Sequence, residues 1–394
     1  MTLVGSPGAD RAQVDGRGCV APTAAGWRVD WWIGAEDRWR RAAEDVTVRQ
    51  SLVDAAPVVE TAMRVPGGDA VQRVYGADAA GTVVVEIENA SAVPFVAAIV
   101  VGPAPTGHLR SLAVDGTKLR IDRNGAVTLP RSPGRWAVGP TTDAVFDQVR
   151  RGDAGQGVFP ASTDRSGRLV GALLYPLAHR ATLRLALGAG ADLPALPGAG
   201  EVARSWTAQL QRGMRVELPD PGLTDAVHAA RAALLIAGTD IAALEDWGFD
   251  HEAADAWRRA SWRERRRARH RHQRPARWDD VQDVRRHGDA GPFLLDLRSL
   301  LVHETGRGVD VLTDLPPDWL GRDLEVHQAP TRAAGAVSYA VRWHGERPAL
   351  LWDCEQATTL RAPGVDPSWS TGERAGEALL APVGAYASVR GDST

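Results

Sequence analysis

Acidic side chains between residues 220 and 304 are the best candidates for acid–base chemistry in this chain. Asp289 lies in a glycine-flanked loop, Asp246 lies at the C-terminal end of a predicted helix, and Asp279 follows a tryptophan. The helix dipole slightly raises the pKa of a carboxyl group near a helix C-terminus, which suits a proton donor. We rank Asp289 first, then Asp246 and Asp279, as catalytic candidates. The alternatives are that Asp246 and Asp279 are solvated and that Asp289 caps the following helix.

An arginine-rich run, residues 258–277, is the second group of candidates. It contains ten arginines together with Trp262, His270 and His272. Arginine forks and aromatic faces bind phosphates and bases, but a dense run on one helix is typical of a solvated face, and no nucleic-acid motif accompanies it. We therefore predict an exposed segment and rank nucleic-acid binding last. The cationic surroundings also argue against a metal site formed by His270, His272 and His287.

Motifs for cofactors are not found in the sequence. The single lysine, Lys118, lies in a turn-and-strand pattern without a glycine-rich phosphate loop, and there is no dinucleotide fingerprint. Cys19 and Cys354 share no metal-type spacing, which favours two unpaired thiols in a reducing compartment. No apolar run is long enough to span a membrane, and the N-terminus does not resemble a signal peptide. We expect a cytoplasmic protein without a cofactor, a metal or a membrane association.

Strand signals dominate on both sides of the acidic stretch. The segment Gly81–Val101 reads as two strands joined by a polar turn, and Asp115-Gly116 and Asn124-Gly125 indicate tight hairpins. Many short strands with turns about every ten residues predict a sandwich rather than a parallel sheet. Trp31 and Trp32 are adjacent in a predicted strand, so they point to opposite faces. We expect one in the core and the other in packing between domains.

Helical signals begin at Asp220, where an N-cap residue precedes a proline, and the first helix is expected to end at Gly238. Three more helices are predicted, from Asp240, from Asp250 and over Pro292–Glu304. The fold class is therefore mainly β with a helical segment, in an α+β multidomain chain. The predicted divisions are a flexible N-terminus at 1–26, a large β-sandwich at 27–216, a helical region at 217–306, a small β-sandwich at 307–367 and a loose tail at 368–394.

Two stretches resemble the six-hairpin glycosidases. Val202–Asp220 and the helix after it look like the passage from the large sandwich of that family into its helical barrel. Leu294–Trp352, which includes Leu301-Val-His-Glu304 and Val337-Ser-Tyr-Ala-Val-Arg-Trp343, is similar to the last barrel helix and small C-terminal sandwich, α-L-rhamnosidase-like members included. Twelve barrel helices with their loops need on the order of 190 residues, so the helical region here is strongly shortened.

The resemblance implies a carbohydrate-related protein that hydrolyses a glycosidic bond with paired carboxylates from the helical region. Trp247 and Trp278 adjoin Asp246 and Asp279, and they become candidate substrate-binding residues because indole faces stack on sugar rings. The shortened region supports a second hypothesis, a non-catalytic degenerate glycosidase that binds carbohydrate or protein. An arginine-rich binder of anions or nucleic acid is the third. Whether the protein is an enzyme stays open from the sequence.

Overall fold

The computed structural model describes residues 1–9, 11–77, 81–188, 191–269 and 275–383. The chain divides into two compact units, Met1–Trp206 and Thr207–Thr394. Both contain antiparallel sheets, and most helices lie between residues 217 and 306. The prediction of a mainly β protein with a helical segment is confirmed. Across the described ranges, no helix has both the length and the apolar character that a membrane crossing requires.

The first unit is built from short strands and two helices. The strands are β1 Thr2–Gly5, β2 Arg11–Val14, β3 Val20–Pro22, β4 Trp27–Gly34, β5 Trp39–Arg41, β6 Arg49–Leu52, β7 Val59–Val65, β8 Gly68–Gly76, β9 Val83–Asn89, β10 Phe95–Pro103, β11 Ser111–Asp115, β12 Lys118–Ile121, β13 Gly125–Thr128, β14 Arg135–Gly139, β15 Gly155–Gln156, β16 Ser162–Thr163, β17 Val170–Leu177 and β18 Thr182–Leu187. The helices are α1 Thr142–Arg151 and the first part of α2 Ala199–Gln211, which continues beyond Trp206. Within the described residues these strands form two nine-stranded sheets, ordered β1-β2-β3-β4-β10-β17-β14-β15 (with β5 on β4) and β16-β11-β12-β13-β18-β9-β8-β7-β6.

A shared core joins the two sheets of the first unit. Alternate residues of β4, among them Val29, Trp31 and Ile33, enter this core together with apolar residues of both sheets. Trp32 faces the other side, where it packs edge-on against Phe146 of α1 at 5.1 Å between ring centroids. The two tryptophans therefore point to opposite faces, as predicted. The expected inter-domain role of the second one is corrected, because helix α1 of the same unit covers it.

Predicted turns and strands of the first unit are found at the expected places. The Gly116 turn joins β11 to β12 with a φ of 58°, a left-handed conformation that glycine adopts without strain. The segment Gly81–Val101 forms β9 and β10, but these strands belong to different sheets. Buried Asn89 fastens the crossing between them, because its side-chain amide donates to the carbonyls of Val93 and Leu177 at 2.9 and 3.0 Å.

The N-terminal segment differs from its prediction as a flexible region. It forms β1, β2 and β3, and Val4, Val14 and Val20 are buried in the core between the sheets. These strands are too short to show a period in sequence, and they gain order by pairing in series onto the edge of β4. Helix α1 was also not predicted. It begins after Thr141, whose side chain accepts from the N–H of Ala144.

The second unit holds the remaining helices and two smaller sheets. Its helices are α3 Pro221–Ala237, α4 Ile241–Asp246, α5 Asp250–Arg259, α6 Trp262–Arg269, α7 Trp278–His287 and α8 Ala290–Leu301. Its strands are β19 Arg215–Glu217, β20 Val302–Thr305, β21 Gly308–Val311, β22 Leu324–Thr331, β23 Gly335–His344, β24 Arg347–Cys354, β25 Leu360–Ala362, β26 Asp366–Thr371 and β27 Ala375–Leu379. In the part of the chain that is described, the sheets run β19-β22-β23-β24-β27 and β20-β21-β25-β26.

The helix signals of the second unit act as predicted. Asp220 caps α3 by accepting from the N–H of Gly222 at 2.9 Å, Pro221 is the first helical residue, and Gly238 ends the helix in a left-handed conformation. The helix predicted over Pro292–Glu304 ends earlier, because residues from Val302 onward pair with β21. The segment expected to be a loose tail contributes β27, which pairs with β24.

Candidate functional site

The three predicted catalytic aspartates lie at the ends of three different helices. Asp246 is the last residue of α4 and is half-buried. Asp279 lies in the first turn of α7 and Asp289 precedes α8, and both are exposed. Asp289 occupies the N-cap position of α8, but its side chain makes no capping hydrogen bond. A catalytic role for these residues stays a prediction.

The two predicted substrate-binding tryptophans pack inside the second unit. Trp247 is fully buried, its Nε1 donates to the carbonyl of Leu294 at 2.9 Å, and the guanidinium of buried Arg231 lies 5.7 Å from its ring centroid. Trp278 is half-buried, with its ring edge-on to Trp319 at 5.3 Å. Stacking on a sugar requires an open indole face. The enclosed ring of Trp247 therefore corrects its assignment as a substrate-binding residue, and Trp278 is engaged in ring packing.

The arginine-rich run is exposed wherever its side chains are described. These side chains are Arg258, Arg259, Arg263, Arg265, Arg266 and Arg277. Trp262 is 70% exposed, and the guanidinium of Arg266 lies 5.6 Å from its ring centroid. The predicted exposure is confirmed for these residues, whereas His270 and His272 lie outside the described residues. Such a surface agrees with a solvated helix face.

A large cleft lies at one end of the sandwich in the first unit, where loops from both sheets meet. We call it the sandwich-end cleft and define it by Trp27, His108, Arg110, Asp122 and Asn124, which all line it. Its volume is about 1020 Å³. The residues come from the start of β4, the loop after β10 and the β12–β13 turn. The cleft therefore presents hydrogen-bond donors and acceptors, and the buried Trp27 forms part of its wall.

Backbone contacts fix the loops around this cleft. Asp122 has a positive φ of 49°, and its Oδ1 accepts from the backbone N–H groups of Arg110 and Ser111, each at 2.8 Å. A Cβ on Gly107 would lie 2.2 Å from the carbonyl oxygen of Gly26, so only glycine allows this approach. Aspartate adopts this left-handed conformation readily in turns, so these contacts fix the shape of the loops.

A second cavity of about 520 Å³ lies on the outer face of β4, beside the N-terminus of α1. We call it the α1 cavity and define it by Arg28, Asp30, His108, Thr141 and Arg168, which line it. Arg28 and Asp30 share one face of β4, two residues apart. His108 lines both this cavity and the sandwich-end cleft, so one loop borders the two spaces.

Burial sets the protonation of the groups around Asp30. It raises the pKa of the Asp30 carboxyl from its ordinary 3.8 to about 6, although the N–H of Trp31, which donates to it at 2.7 Å, and the charge of Arg28 act in the opposite direction. Burial and the charge of Asp30 together raise the pKa of the Cys19 thiol to about 12. Cys19 is therefore an inert thiol at neutral pH, whereas Asp30 titrates near it.

One group of side chains in the second unit has the composition of a metal site. Ligand atoms of Glu217, Glu325 and His327 all lie within 4.8 Å of one another, and Glu217 stands opposite Glu325 in the β19–β22 pairing. Arg342 donates to Glu325, and this hydrogen bond lowers the pKa of the Glu325 carboxyl. Glu325 pairs with Arg342 through one oxygen and lies 2.8 Å from Nε2 of His327 through the other. The Glu325 carboxylate is thus stabilised by an ion pair within the protein.

Sequence reasoning missed the residues of both spaces. Asn124-Gly125 predicts only a hairpin, and Arg28, His108 and Arg168 follow no motif. They meet because strand pairing brings distant loops together. The one local signal was Asp30, a charged residue inside the apolar strand sequence Val29-Asp30-Trp31. A charge in that setting needs a partner or a cavity.

Comparisons with known proteins give little further information. No protein-family model matches the chain, and no curated protein matches it. Among solved structures, a bacterial glucoamylase complexed with acarbose is similar over 65% of this chain and 48% of its own, with 7% sequence identity and a TM-score of 0.44. The chain thus spans about half the length of that enzyme. A likeness of this strength assigns neither a family nor an activity.

Proposed function

We propose that this protein binds carbohydrate in the sandwich-end cleft of its first unit. The observation that carries the proposal is the chemistry of the cleft, which combines Arg110, Asp122 and Asn124, while the buried Trp27 forms part of its wall and does not offer an open stacking face. Sugar hydroxyls both donate and accept hydrogen bonds, and a guanidinium, a carboxylate and an amide offer them both kinds of partner. The volume of about 1020 Å³ is at the upper end of the range for small-ligand pockets and leaves room for more than one ring.

Asp122 is held ready to accept hydrogen bonds from a sugar. Two backbone N–H groups bind its Oδ1 and fix the side chain without a ligand. Among the described residues, no hydrogen bond reaches its other carboxylate oxygen, Oδ2. A carboxylate whose orientation is fixed in advance loses little conformational entropy when it binds. Asp122 is therefore a preformed hydrogen-bond acceptor in the cleft.

Binding without hydrolysis is the activity that the cleft supports best. Hydrolysis of a glycosidic bond normally uses two carboxyl groups on opposite sides of the bond. Of the described residues that line the cleft, Asp122 is the only carboxylate. The sequence resemblance to six-hairpin glycosidases supports a carbohydrate ligand, and this chain then corresponds to the non-catalytic hypothesis. Hydrolysis by Asp289, Asp246 or Asp279 remains a separate prediction of that resemblance.

The proposal is tested by isothermal titration with L-rhamnose, D-glucose and maltotriose. Arg110 and Asn124 are exposed, so Arg110→Met and Asn124→Ala remove ligand contacts without removing core packing. We expect each variant to weaken binding at least about tenfold, because a hydrogen bond to a charged or polar group contributes about 1–3 kcal/mol. Arg120→Met is the control, because Arg120 is exposed on the neighbouring hairpin and pairs with Asp115 outside the cleft.

Two results would count against the proposal. One is the absence of millimolar or tighter binding of any of these sugars to the full chain. The other is that the Arg110→Met and Asn124→Ala variants bind sugar as tightly as the Arg120→Met control does. That result would place the sugar outside the cleft.

A further inference from the structure

We infer that the α1 cavity binds an oxyanion, a carboxylate or a phosphate, carried by the carbohydrate that occupies the sandwich-end cleft. This inference rests on the proposed function and names the class of carbohydrate as acidic. It is drawn from the two guanidinium groups and the helix N-terminus that converge on the α1 cavity, and from the loop that the two spaces share.

Three cationic or protonatable side chains line the α1 cavity from three separate elements. Arg28 is on β4, His108 is in the loop after β10, and Arg168 is in the loop before β17. Groups that converge from distant parts of the chain make a charged cavity, in contrast to a run of arginines along one helix. Guanidinium groups match carboxylate and phosphate oxygens through paired N–H donors.

The N-terminus of α1 adds favourable electrostatics to these side chains. Thr141 and Thr142 line the cavity and form the start of this ten-residue helix. The side chain of Thr141 accepts from the N–H of Ala144 at 3.2 Å, so the cap itself is satisfied. The first N–H groups of a helix have no acceptor within the helix, and the helix dipole favours negative charge there.

Asp30 explains how such a cavity is neutralised without a ligand. Its carboxylate lies on the same face of β4 as Arg28. Burial raises the pKa of the Asp30 carboxyl, and the attraction to Arg28 opposes this rise because it stabilises the charged form. An incoming oxyanion competes with this carboxylate for Arg28, and a protonated Asp30 can donate a hydrogen bond to it. Asp30 therefore acts as an internal counter-ion that a ligand replaces.

His108 connects the two spaces. It lines both of them, and the contact between Gly107 and Gly26 fixes the loop next to it. A sugar ring in the cleft and an acidic substituent in the α1 cavity would both contact this loop. A hexuronate and a hexose phosphate each carry an oxyanion on a sugar ring, and the geometry admits either.

The test compares D-glucose, D-glucuronate, D-glucose 6-phosphate and inorganic phosphate by isothermal titration of the full chain. We expect glucuronate or glucose 6-phosphate to bind at least about tenfold more tightly than glucose. Arg168 is exposed, so Arg168→Met should fold normally; it should abolish this advantage and leave glucose affinity unchanged. Arg28→Met should act in the same way. Arg165→Met, at an exposed residue that does not line the cavity, is the matched control and should keep the advantage.

The outcomes separate the inference from the function on which it rests. Equal affinities for glucose and both acidic sugars, or an advantage that survives Arg168→Met, overturn the inference and leave carbohydrate binding in place. Acidic-sugar binding that is lost in Arg168→Met but unchanged in Asn124→Ala overturns the cleft proposal and the link between the two spaces, and it leaves only an anion site in the α1 cavity. Inorganic phosphate that binds as tightly as the sugar phosphate shows a plain anion site and overturns the link to carbohydrate. No binding of any probe overturns both.

Discussion

Replacing Asp30 by asparagine should stabilise the protein at neutral pH but not at acidic pH. The side-chain oxygen of asparagine can still accept from the N–H of Trp31, as Asp30 does at 2.7 Å. The variant therefore removes the charge and keeps the hydrogen bond and the volume. Because burial raises the pKa of Asp30, the charged form is the one that the folded state disfavours.

The size of the effect follows from the difference between the folded and unfolded pKa. A rise from the ordinary 3.8 to about 6 corresponds to about 3 kcal/mol of penalty on the charged carboxylate. Below pH 3.8 the carboxyl is neutral in both states, and the penalty is absent. It develops as the pH rises from 3.8 to about 6 and is complete above that value. We expect Asp30→Asn to gain between about 1 and 3 kcal/mol at about pH 7.5 and almost nothing at about pH 3.5.

Urea unfolding of the full chain, followed by tryptophan fluorescence at both pH values, measures this difference. Asp153→Asn is the control, because Asp153 is exposed in the loop after α1. It should change the free energy of unfolding by less than about 0.5 kcal/mol at either pH. A gain for Asp30→Asn that is equal at both pH values, or a loss at about pH 7.5, would refute a charge penalty at this site.

Three further predictions concern other parts of the chain. Asp289→Asn should leave the melting temperature unchanged, because Asp289 makes no capping hydrogen bond. If the parent protein hydrolyses aryl glycosides, the variant should lose that activity. Equal turnover in the variant removes Asp289 from a catalytic site. Gly107→Ala should lower the free energy of unfolding by about 1–3 kcal/mol, because its Cβ meets the Gly26 carbonyl. Gly134→Ala is the control, because a Cβ there has open space and should leave the stability unchanged. Similar melting temperatures for the two variants would show that the loop of Gly107 can relax. Arg342→Met leaves two glutamates facing each other, so it should destabilise the second unit by about 1 kcal/mol. In thermal shift assays, Zn²⁺ should then raise the melting temperature of the variant. A variant that is as stable as the parent protein and does not respond to Zn²⁺ would contradict the role of the ion pair.

Local signals in the sequence were sufficient for those elements that local chemistry determines. Asp220, Pro221 and Gly238 bound a helix through capping and backbone conformation alone, and the Asp115-Gly116 turn makes its hairpin in the same way. Helix α1 also has local end signals, an N-cap at Thr141 and a left-handed Gly152, but a helix of ten residues depends on tertiary packing for its stability. Its apolar residues cover the outer face of the first sheet, where Trp32 would otherwise be open to water.

The candidate site could not be predicted for the same kind of reason. Trp27, His108 and Asp122 are far apart in sequence, and only the order of strands in two sheets brings their loops together. Residue type alone is also ambiguous at Trp247, because an indole next to a carboxylate in the sequence fits a sugar-stacking residue as well as it fits a core residue. Burial decides between these roles, and burial is a property of the whole unit.

The most direct test of carbohydrate binding in the sandwich-end cleft is fluorine NMR of the protein labelled with 5-fluorotryptophan. The chain has 14 tryptophans, and single tryptophan-to-phenylalanine variants assign their resonances. On addition of a sugar that binds, we expect the resonance of Trp27 to shift, because Trp27 lines the cleft, while those of Trp247 and Trp278 stay in place. A shift of Trp247 or Trp278 with Trp27 unchanged would contradict binding in the sandwich-end cleft and return the site to the helical region.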